Sequence, residues 1–265
     1  MFKTFLTAGA IALATVSVGQ ASTVKDVDLV FVIDRSGSMD NEGQTLSDRI
    51  GEVLTGLEAA PEIGTAQAAV VSFLSPPSLV SGITGNVTGL QTAIDGINYS
   101  GSTERGLAAM NSVLPGGSLF GSIGYRSNTV RSIVLLTDED ADDPGSDYAG
   151  FTAALKSSGY LNNVIVSNRG SRCQGLGGTN TGGGCEYIPT ANPSTGAFDL
   201  VDFTANTDTF LKEFIAAKIG EVINTPPPNP TPTPAPIPLP AAGWMLLAAL
   251  GGLGFMRRRA SPIPA

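Results

Sequence analysis

Almost wholly apolar segments alternate along this chain with segments of helical periodicity, and this alternation constrains the fold more than any other feature. The apolar segments are Val27–Ile33, Ala68–Leu74, Thr129–Leu136 and Asn163–Ser167. Strands of this composition are buried on both faces, which happens when helices cover both sides of a parallel sheet. The sequence therefore predicts an α/β fold with a doubly wound, mostly parallel sheet and helices on both faces.

The segments between the predicted strands support the same fold. After the first strand, apolar residues recur at helical spacing at Leu46, Ile50, Leu54 and Leu57. Further helices are predicted at 88–97, at 105–114 and at 146–156, the last with Ser146 as its N-cap. The segment 198–203 is predicted to be an edge strand, and a final helix carries an apolar stripe of Phe210, Phe214, Ile215, Ile219 and Val222.

The first 21 residues have the composition of a signal peptide. Lys3 precedes an apolar run from Phe5 to Val18, and Gly19-Gln20-Ala21 forms a small-x-small ending. This order predicts cleavage before Ser22 and export of the chain. The main domain is accordingly predicted at residues 22–224.

The C-terminal region predicts a spacer followed by a membrane segment. Residues 225–238 are rich in proline and should form a semi-rigid linker of polyproline type. In the tail, 239–265, the apolar run Ala241–Met256 would be about 24 Å long as a helix, close to the lower limit for a span. The basic cluster Arg257, Arg258 and Arg259 then predicts a cytoplasmic C-terminus, with the main domain on the other side of the membrane.

The order of Pro238, Leu239 and Pro240, an apolar run and an arginine cluster resembles the PEP-CTERM class of bacterial sorting signals. It is most similar to the Val-Pro-Leu-Pro-Ala variant, with Ile237 in place of the valine. The resemblance implies a Gram-negative bacterium and an exosortase-type sorting protease as a partner. It also implies a protein that is tethered on the periplasmic side and then reaches the cell surface or an extracellular matrix.

Charge and composition exclude several function classes. The formal net charge is −8, although Lys3 and the three tail arginines lie in targeting segments, so the main domain is more acidic still. Such a domain repels phosphate backbones and attracts cations, which argues against nucleic-acid binding. The chain has no histidine, and this removes the usual general base, Ser-His and Cys-His nucleophile pairs and most zinc sites. We therefore predict that the protein is not an enzyme.

A run of oxygen donors follows the first predicted strand. Asp34-Arg35-Ser36-Gly37-Ser38 places one carboxylate and two hydroxyls on a turn that Gly37 allows to fold back. Hard oxygen donors suit Mg²⁺ or Mn²⁺. An ordinary polar turn between a strand and a helix has the same composition, so the five residues alone leave both interpretations open.

Two further segments favour the metal. Thr103 lies in a loop that opens a helix, and Asp138 follows the strand that ends at Thr137. The three segments, in this order, resemble the von Willebrand factor A family and its metal-ion-dependent adhesion site. The resemblance implies direct ligation of one Mg²⁺ or Mn²⁺ by Ser36 and Ser38, and direct or water-mediated ligation by Asp34 and Asp138. Thr103 would switch between these two modes, although Ser102 stands where the family usually has glycine.

A site with two carboxylates keeps the ion a good Lewis acid and leaves a coordination position open. We therefore expect a ligand-binding or adhesion module whose partner presents an acidic side chain. The alternative is a structural envelope or matrix protein in which the metal only stabilises the fold. The cytosolic role of family members that work with ATPase motors conflicts with both targeting segments.

Two other features bear on the surroundings of the site, and the second allows two interpretations. Cys173 and Cys185 flank a glycine-rich stretch and fit a disulfide in an oxidising compartment, in a loop expected to border the metal. Asp140, Asp142, Asp143 and Asp147 allow a second cation, or else form a solvated loop that favours helix N-termini.

Overall fold

In a computed structural model, which describes residues 24–169, 173–174, 176, 183–192 and 196–226, strands and helices alternate along the chain. The strands are β1 (Lys25–Asp34), β2 (Ile63–Phe73), β3 (Ser78–Thr84), β4 (Thr129–Thr137), β5 (Leu161–Val166) and β6 (Ala197–Asp199). The α-helices are α1 (Asp40–Glu58), α2 (Val87–Asp95), α3 (Gly106–Ser112), α4 (Phe120–Ile123), α5 (Tyr148–Ser158), α6 (Leu200–Ala205) and α7 (Thr207–Asn224). Short 3₁₀ helices cover Gly37–Met39 and Cys185–Thr190.

The strands form one sheet in the order β3-β2-β1-β4-β5-β6. Every neighbouring pair is parallel except β2 and β3, which are antiparallel. The order turns outward in both directions from β1 and β4, so the predicted doubly wound, mostly parallel α/β fold is confirmed.

The core consists of two layers, one on each face of the sheet, because successive side chains of a strand point to opposite faces. Leu29, Phe31 and Ile33 of β1 pack with α1, α6 and α7, whereas Val30 and Val32 pack with α3 and α5. Helices therefore bury both faces of β1, and this explains why its sequence is apolar at nearly every position.

Several details differ from the sequence-based expectations, among them two short helices, α4 and α6, that were not predicted. The edge strand β3 was not predicted, because Pro76-Pro77 marks the chain there as a break. The predicted N-cap Ser146 is wrong: α5 begins at Tyr148, and the Asp147 side chain accepts a hydrogen bond from the backbone N–H of Gly150 at 2.8 Å. The predicted strand 198–203 is also largely wrong, because β6 ends at Asp199, whose side chain caps α6 through the N–H of Val201 at 2.9 Å.

The end of α7 is fixed at the amino end of the sheet. The Lys25 ammonium donates to the carbonyl oxygens of Val222, Ile223 and Thr225 at 2.9, 2.6 and 2.6 Å. A cation on the last carbonyls of a helix satisfies acceptors that the helix itself leaves free. Asp34 is the last residue of β1, about 30 Å from Lys25 at the usual rise per residue, so the main domain ends on the side opposite Asp34.

The predicted targeting segments, 1–21 and 239–265, and the linker from residue 227 onward lie outside the described residues. Within the part of the chain that is described, no helix is both long and apolar enough to cross a membrane.

Candidate metal centre

Asp34 is the best-fixed member of the predicted site. It ends β1 with no exposed surface, and its Oδ1 accepts the backbone N–H of Ser36 at 2.8 Å. Its Oδ2 accepts the hydroxyl of Thr137, the last residue of the neighbouring strand β4, at 2.7 Å. These two bonds hold the carboxylate at the carboxyl ends of the two central strands.

The turn after β1 brings its two serines to the same place. The hydroxyls of Ser36 and Ser38 lie 3.1 Å apart, and Ser38 donates to Oδ1 of Asp138 at 3.0 Å. Asp34, Ser36, Ser38 and Asp138 thus form one connected set of oxygens, called the oxygen cluster below. The structure brings together four of the five residues that the sequence predicts.

Burial shifts the protonation of the oxygen cluster. Removal from solvent raises the pKa of Asp34 to about 6, against the hydrogen bonds from Ser36 and Thr137, which lower it, and the negative charge of Asp138 adds to the rise. A divalent cation would supply the missing counter-charge, so the electrostatics of the cluster fit a cation.

A buried carboxylate next to the cluster has an oxygen without a partner. Glu42, in the first turn of α1, is 7% exposed, and its Oε2 has no hydrogen bond to any described residue. Burial raises its pKa, and the charge of Asp138 contributes. Nowhere in the described residues do three or more acidic, cysteine or histidine side chains form a metal-binding group, so the fit depends on two carboxylates with serine hydroxyls.

Thr103 stands apart from the cluster. It is exposed and forms no hydrogen bond with any described residue. The loop that carries it packs closely on α1: a Cβ atom on Gly43 would collide with the Tyr99 side chain, which would have to move. The loop is therefore held beside the cluster, while the Thr103 hydroxyl is free.

The next residue, Glu104, was missed by the sequence analysis. It is 7% exposed, and burial raises its pKa to about 7, with further contributions from the charges of Asp34, Asp142 and Glu139. A carboxylate directly after Thr103 was the available signal, but a charged residue in a loop is more often solvated. Glu104 makes the surroundings of Asp34 more acidic than the predicted ligand set does.

Aspartates in the acidic run after Asp138 accept hydrogen bonds from backbone N–H groups. Asp142 accepts the N–H of Glu104 at 3.2 Å, and Asp143 accepts the N–H groups of Leu107 and Ala108 at 2.9 and 3.0 Å, at the start of α3. These contacts account for both carboxylates as acceptors for helix and loop N–H groups. They favour the helix-terminus interpretation of the run over a second cation.

The predicted disulfide between Cys173 and Cys185 is present, with a Cα–Cα distance of 5.2 Å. The glycines before Cys185 pack on the strand ends: a Cβ on Gly184 would lie 3.0 Å from Cγ2 of Thr137, and one on Gly183 3.6 Å from the carbonyl oxygen of Asp138. The disulfide segment therefore lies at the same end of the sheet as the oxygen cluster.

Residues 29–141 match the family model for the von Willebrand factor type A domain. This is the family that the motifs resemble. The matched segment runs from β1 into the loop after β4 and includes Asp34, Ser36, Ser38, Thr103 and Asp138. Among curated proteins, none matches the chain.

Solved structures of proximal thread matrix protein 1 from the mussel byssus have a similar fold. One, of crystal form 2, has a TM-score of 0.52 and 15% identity, and the match covers 75% of this chain and 47% of that chain. Another, with a zinc-occupied MIDAS motif, has a TM-score of 0.53 and 16% identity, with the same coverage of 75% and 47%. This chain thus spans about half the length of those proteins, and at such identity the likeness shows the fold alone.

Proposed function

We propose that this chain is an exported, surface-sorted module that holds one divalent cation, Mg²⁺ or Mn²⁺, and through it binds a carboxylate of a protein or matrix partner. The observation that best supports the proposal is the oxygen cluster, in which Asp34 ends β1, Asp138 directly follows the neighbouring strand β4, and the hydroxyls of Ser36 and Ser38 link the two. The zinc-occupied MIDAS motif of the mussel protein supports a divalent ion in this type of fold.

The side chains have distinct roles in this proposal. Ser36 and Ser38 would hold the ion directly, Asp34 and Asp138 would balance its charge, and Thr103 would join when a partner binds. The ion supplies Lewis acidity toward a carboxylate oxygen when it is bound. Because neutral hydroxyls supply part of the ligand set, the ion keeps more of its charge for the partner than it would among carboxylates alone.

The position of the cluster in the fold suits a tethered binding module. The main domain ends beside Lys25, at the amino end of the sheet, and Asp34 lies at the carboxyl end. The last described residues of the main domain are therefore at the end of the sheet opposite the oxygen cluster. Together with the predicted signal peptide and sorting tail, this arrangement supports display on the outer side of a membrane or in a matrix.

Binding is favoured over catalysis because the chain supplies neither a histidine base nor a free cysteine nucleophile at the site. It has no histidine, and both cysteines are in the disulfide. A structural matrix role is the second candidate, because the mussel structures are of a protein named as a matrix protein. In that role the cation would stabilise the fold, and saturable binding of a partner would not depend on it.

A pull-down distinguishes the two functions. The purified full-length chain is immobilised and offered envelope and matrix fractions with Mg²⁺ or with chelator, alongside Asp34→Ala and the control Asp48→Ala, an exposed carboxylate on α1. The binding function predicts a saturable partner that chelator and Asp34→Ala remove and Asp48→Ala retains. A partner held equally in all four conditions would leave only the structural role.

The sorting tail has its own test. We propose that Arg257, Arg258 and Arg259 direct the chain to an exosortase-type protease, and that the apolar run alone would only anchor it. Replacing all three with glutamine should change the fraction in which the protein is found and the mass of its mature form. An unchanged location and mass would refute sorting through this tail and leave the metal proposal intact.

A further inference from the structure

Four polar side chains are buried together between α7 and the sheet. Lys218 and Glu221 come from α7, Ser132 from β4 and Asn163 from β5, and none of them is more than 3% exposed. Ionisable side chains are rarely buried to this extent, because the loss of hydration is costly unless their partners compensate for it. Neither the proposed metal centre nor the binding of a partner uses this group of side chains.

Two members of the group hold the Lys218 amine against the Asn163 amide. The Glu221 carboxylate accepts from Nζ of Lys218 at 2.6 Å through Oε2 and from Nδ2 of Asn163 at 2.8 Å through Oε1. The Ser132 hydroxyl accepts from Nζ of Lys218 at 2.8 Å and donates to Oδ1 of Asn163 at 3.4 Å. The hydrogen bonds therefore close a ring, in which the amine is bridged to both the nitrogen and the oxygen of the amide.

Burial favours the neutral, nucleophilic form of this amine. Removal from solvent lowers the pKa of Lys218, against the charge and the hydrogen bond of Glu221, which raise it. An ammonium has three N–H donors, but Nζ has only two acceptors in the described part of the chain, Glu221 and Ser132. Transfer of one proton to Glu221 leaves an uncharged pair and a free electron pair on Nζ, the form in which lysine acts as a nucleophile.

We propose that Lys218 and Asn163 join in an intramolecular isopeptide bond, with Glu221 as the proton-transfer residue. Nζ of Lys218 attacks Cγ of Asn163 and forms the new C–N bond, while the carbonyl electron pair moves to Oδ1, which accepts from the Ser132 hydroxyl. Glu221 takes a proton from Nζ at Oε2 and gives one to Nδ2 at Oε1. The bond between Cγ and Nδ2 then breaks, and ammonia leaves.

The reaction balances within the four side chains. Of the three protons of the Lys218 ammonium, one stays on Glu221, one leaves with the ammonia and one stays on the new amide nitrogen. No oxidant, metal ion or other reactant is needed, and no buried charge remains in the product. An amide resists attack by a free amine, so the reaction depends on the fold to hold the two groups together. The bond would fasten α7, the last helix before the linker, to β5.

Peptide mapping of the purified full-length chain tests for the bond. After reduction, denaturation and trypsin treatment, the segment 157–169, which contains Asn163, should be joined to the segment that begins at Glu213. The joined peptide should be lighter than its two segments together by about 17 Da, the mass of ammonia. Cleavage after Lys218 should be absent, because trypsin requires a free lysine side chain. Fragmentation should place the link on Asn163 and not on the other asparagines of that segment.

Two variants and a control on α7 test the assigned roles. Lys218→Met keeps a long side chain without the nucleophile, and Glu221→Gln keeps hydrogen-bonding groups but cannot take up the proton. Each should lose the joined peptide completely and release segment 157–169 unmodified. Glu213→Gln makes the same change at an exposed position of α7 and should keep the joined peptide. Melting curves check that each variant is folded.

The wild-type map decides whether the bond exists and does not depend on the folding of any variant. A free segment 157–169 together with cleavage after Lys218 would overturn the proposal and leave the four side chains as a hydrogen-bonded ion pair with two neutral partners. A link to another asparagine would refute the assigned pair. A joined peptide that forms equally in Glu221→Gln would remove the proton-transfer role of Glu221.

Discussion

A buried aspartate lies at each end of the central sheet, and the two have surroundings of opposite charge. Asp28 and Asp34 lie on the same strand and face, and both have no exposed surface. At the amino end, Asp28 accepts the backbone N–H and the Nε–H of Arg126 at 2.8 and 2.6 Å and the hydroxyl of Thr129 at 3.0 Å. At the carboxyl end, Asp34 faces serine and threonine donors and the negative charges of Asp138 and Glu104.

This contrast distinguishes a buried carboxylate that stabilises the fold from one that is suited to bind an external ion. A buried carboxylate is tolerated when the fold supplies its own cation, and removing either partner then leaves a costly unpaired charge. A buried carboxylate among other carboxylates stays destabilised until a cation arrives from solution. The amino end is therefore complete within the chain, and the carboxyl end is suited to an external ion.

The largest effect is expected at the amino end. Asp28→Ala leaves the Arg126 guanidinium without its carboxylate and should lower the free energy of unfolding by about 3 to 5 kcal/mol, with or without Mg²⁺. Urea unfolding of the full-length chain measures this, with the exposed Asp48→Ala as control, expected to change by less than about 0.5 kcal/mol. A loss under about 1 kcal/mol would remove the distinction between the two ends.

The next effect is a pH dependence at the carboxyl end. The pKa of Asp34 is raised from 3.8 to about 6, so without metal the folded state holds more protons than the unfolded state between these values. Stability from this group is thus present at low pH and is lost as pH rises through about 4 to 7. In chelator, wild type should lose about 3 kcal/mol relative to Asp34→Asn over this range, and saturating Mg²⁺ should remove the loss.

Urea unfolding at several pH values measures the difference between these two variants. Parallel pH profiles of wild type and Asp34→Asn in chelator would show that Asp34 has an ordinary pKa in the metal-free fold. That result would mean that Asp34, like Asp28, is stabilised by the fold itself and does not require an external cation.

The smallest effect is expected at Thr103, which is exposed and lies outside the oxygen cluster. Thr103→Ala should change stability by less than about 0.5 kcal/mol. It should weaken Mg²⁺ binding less than Ser38→Ala does and weaken partner binding more than Mg²⁺ binding. Calorimetric titration of Mg²⁺ and the pull-down measure the two affinities. Complete loss of Mg²⁺ binding in Thr103→Ala would show that its hydroxyl belongs to the metal-bound cluster before any partner arrives.

The sequence predicts the sheet and the motif at its carboxyl end because both depend on local pattern. Unbroken apolar strands require burial on two faces, and the end of a parallel strand is where polar side chains gather in such folds. The amino-acid pattern alone therefore places Asp34 and Asp138 each at the carboxyl end of a strand, and the resemblance to the von Willebrand factor A family implies that the two meet. The disulfide could be paired because the chain has only two cysteines.

What the sequence did not predict depends on contacts between distant residues. Lys218 is fully buried, and its ammonium donates to Glu221 at 2.6 Å and to Ser132 of β4 at 2.8 Å, although a lysine in a helix normally indicates a solvated face. Glu104 is buried only because the loop after β4 covers it, with Asp142 bonded to its backbone. In both cases a residue far away in the chain, Ser132 for Lys218 and Asp142 for Glu104, contributes to the burial. Such a contact cannot be predicted from local periodicity.

Thermal melting with and without metal tests the central claim most directly. The full-length chain is melted in Mg²⁺, in Mn²⁺ and in chelator, alongside Asp34→Ala and Asp48→Ala. At a hundredfold excess of the ion over its Kd, the wild type and Asp48→Ala should gain about 2.7 kcal/mol, which raises Tm by about 5 to 10 °C for a domain of this size. Asp34→Ala should stay folded and show no shift. Identical curves for wild type in all three conditions would contradict the metal centre and leave the oxygen cluster as a hydrogen-bonded turn.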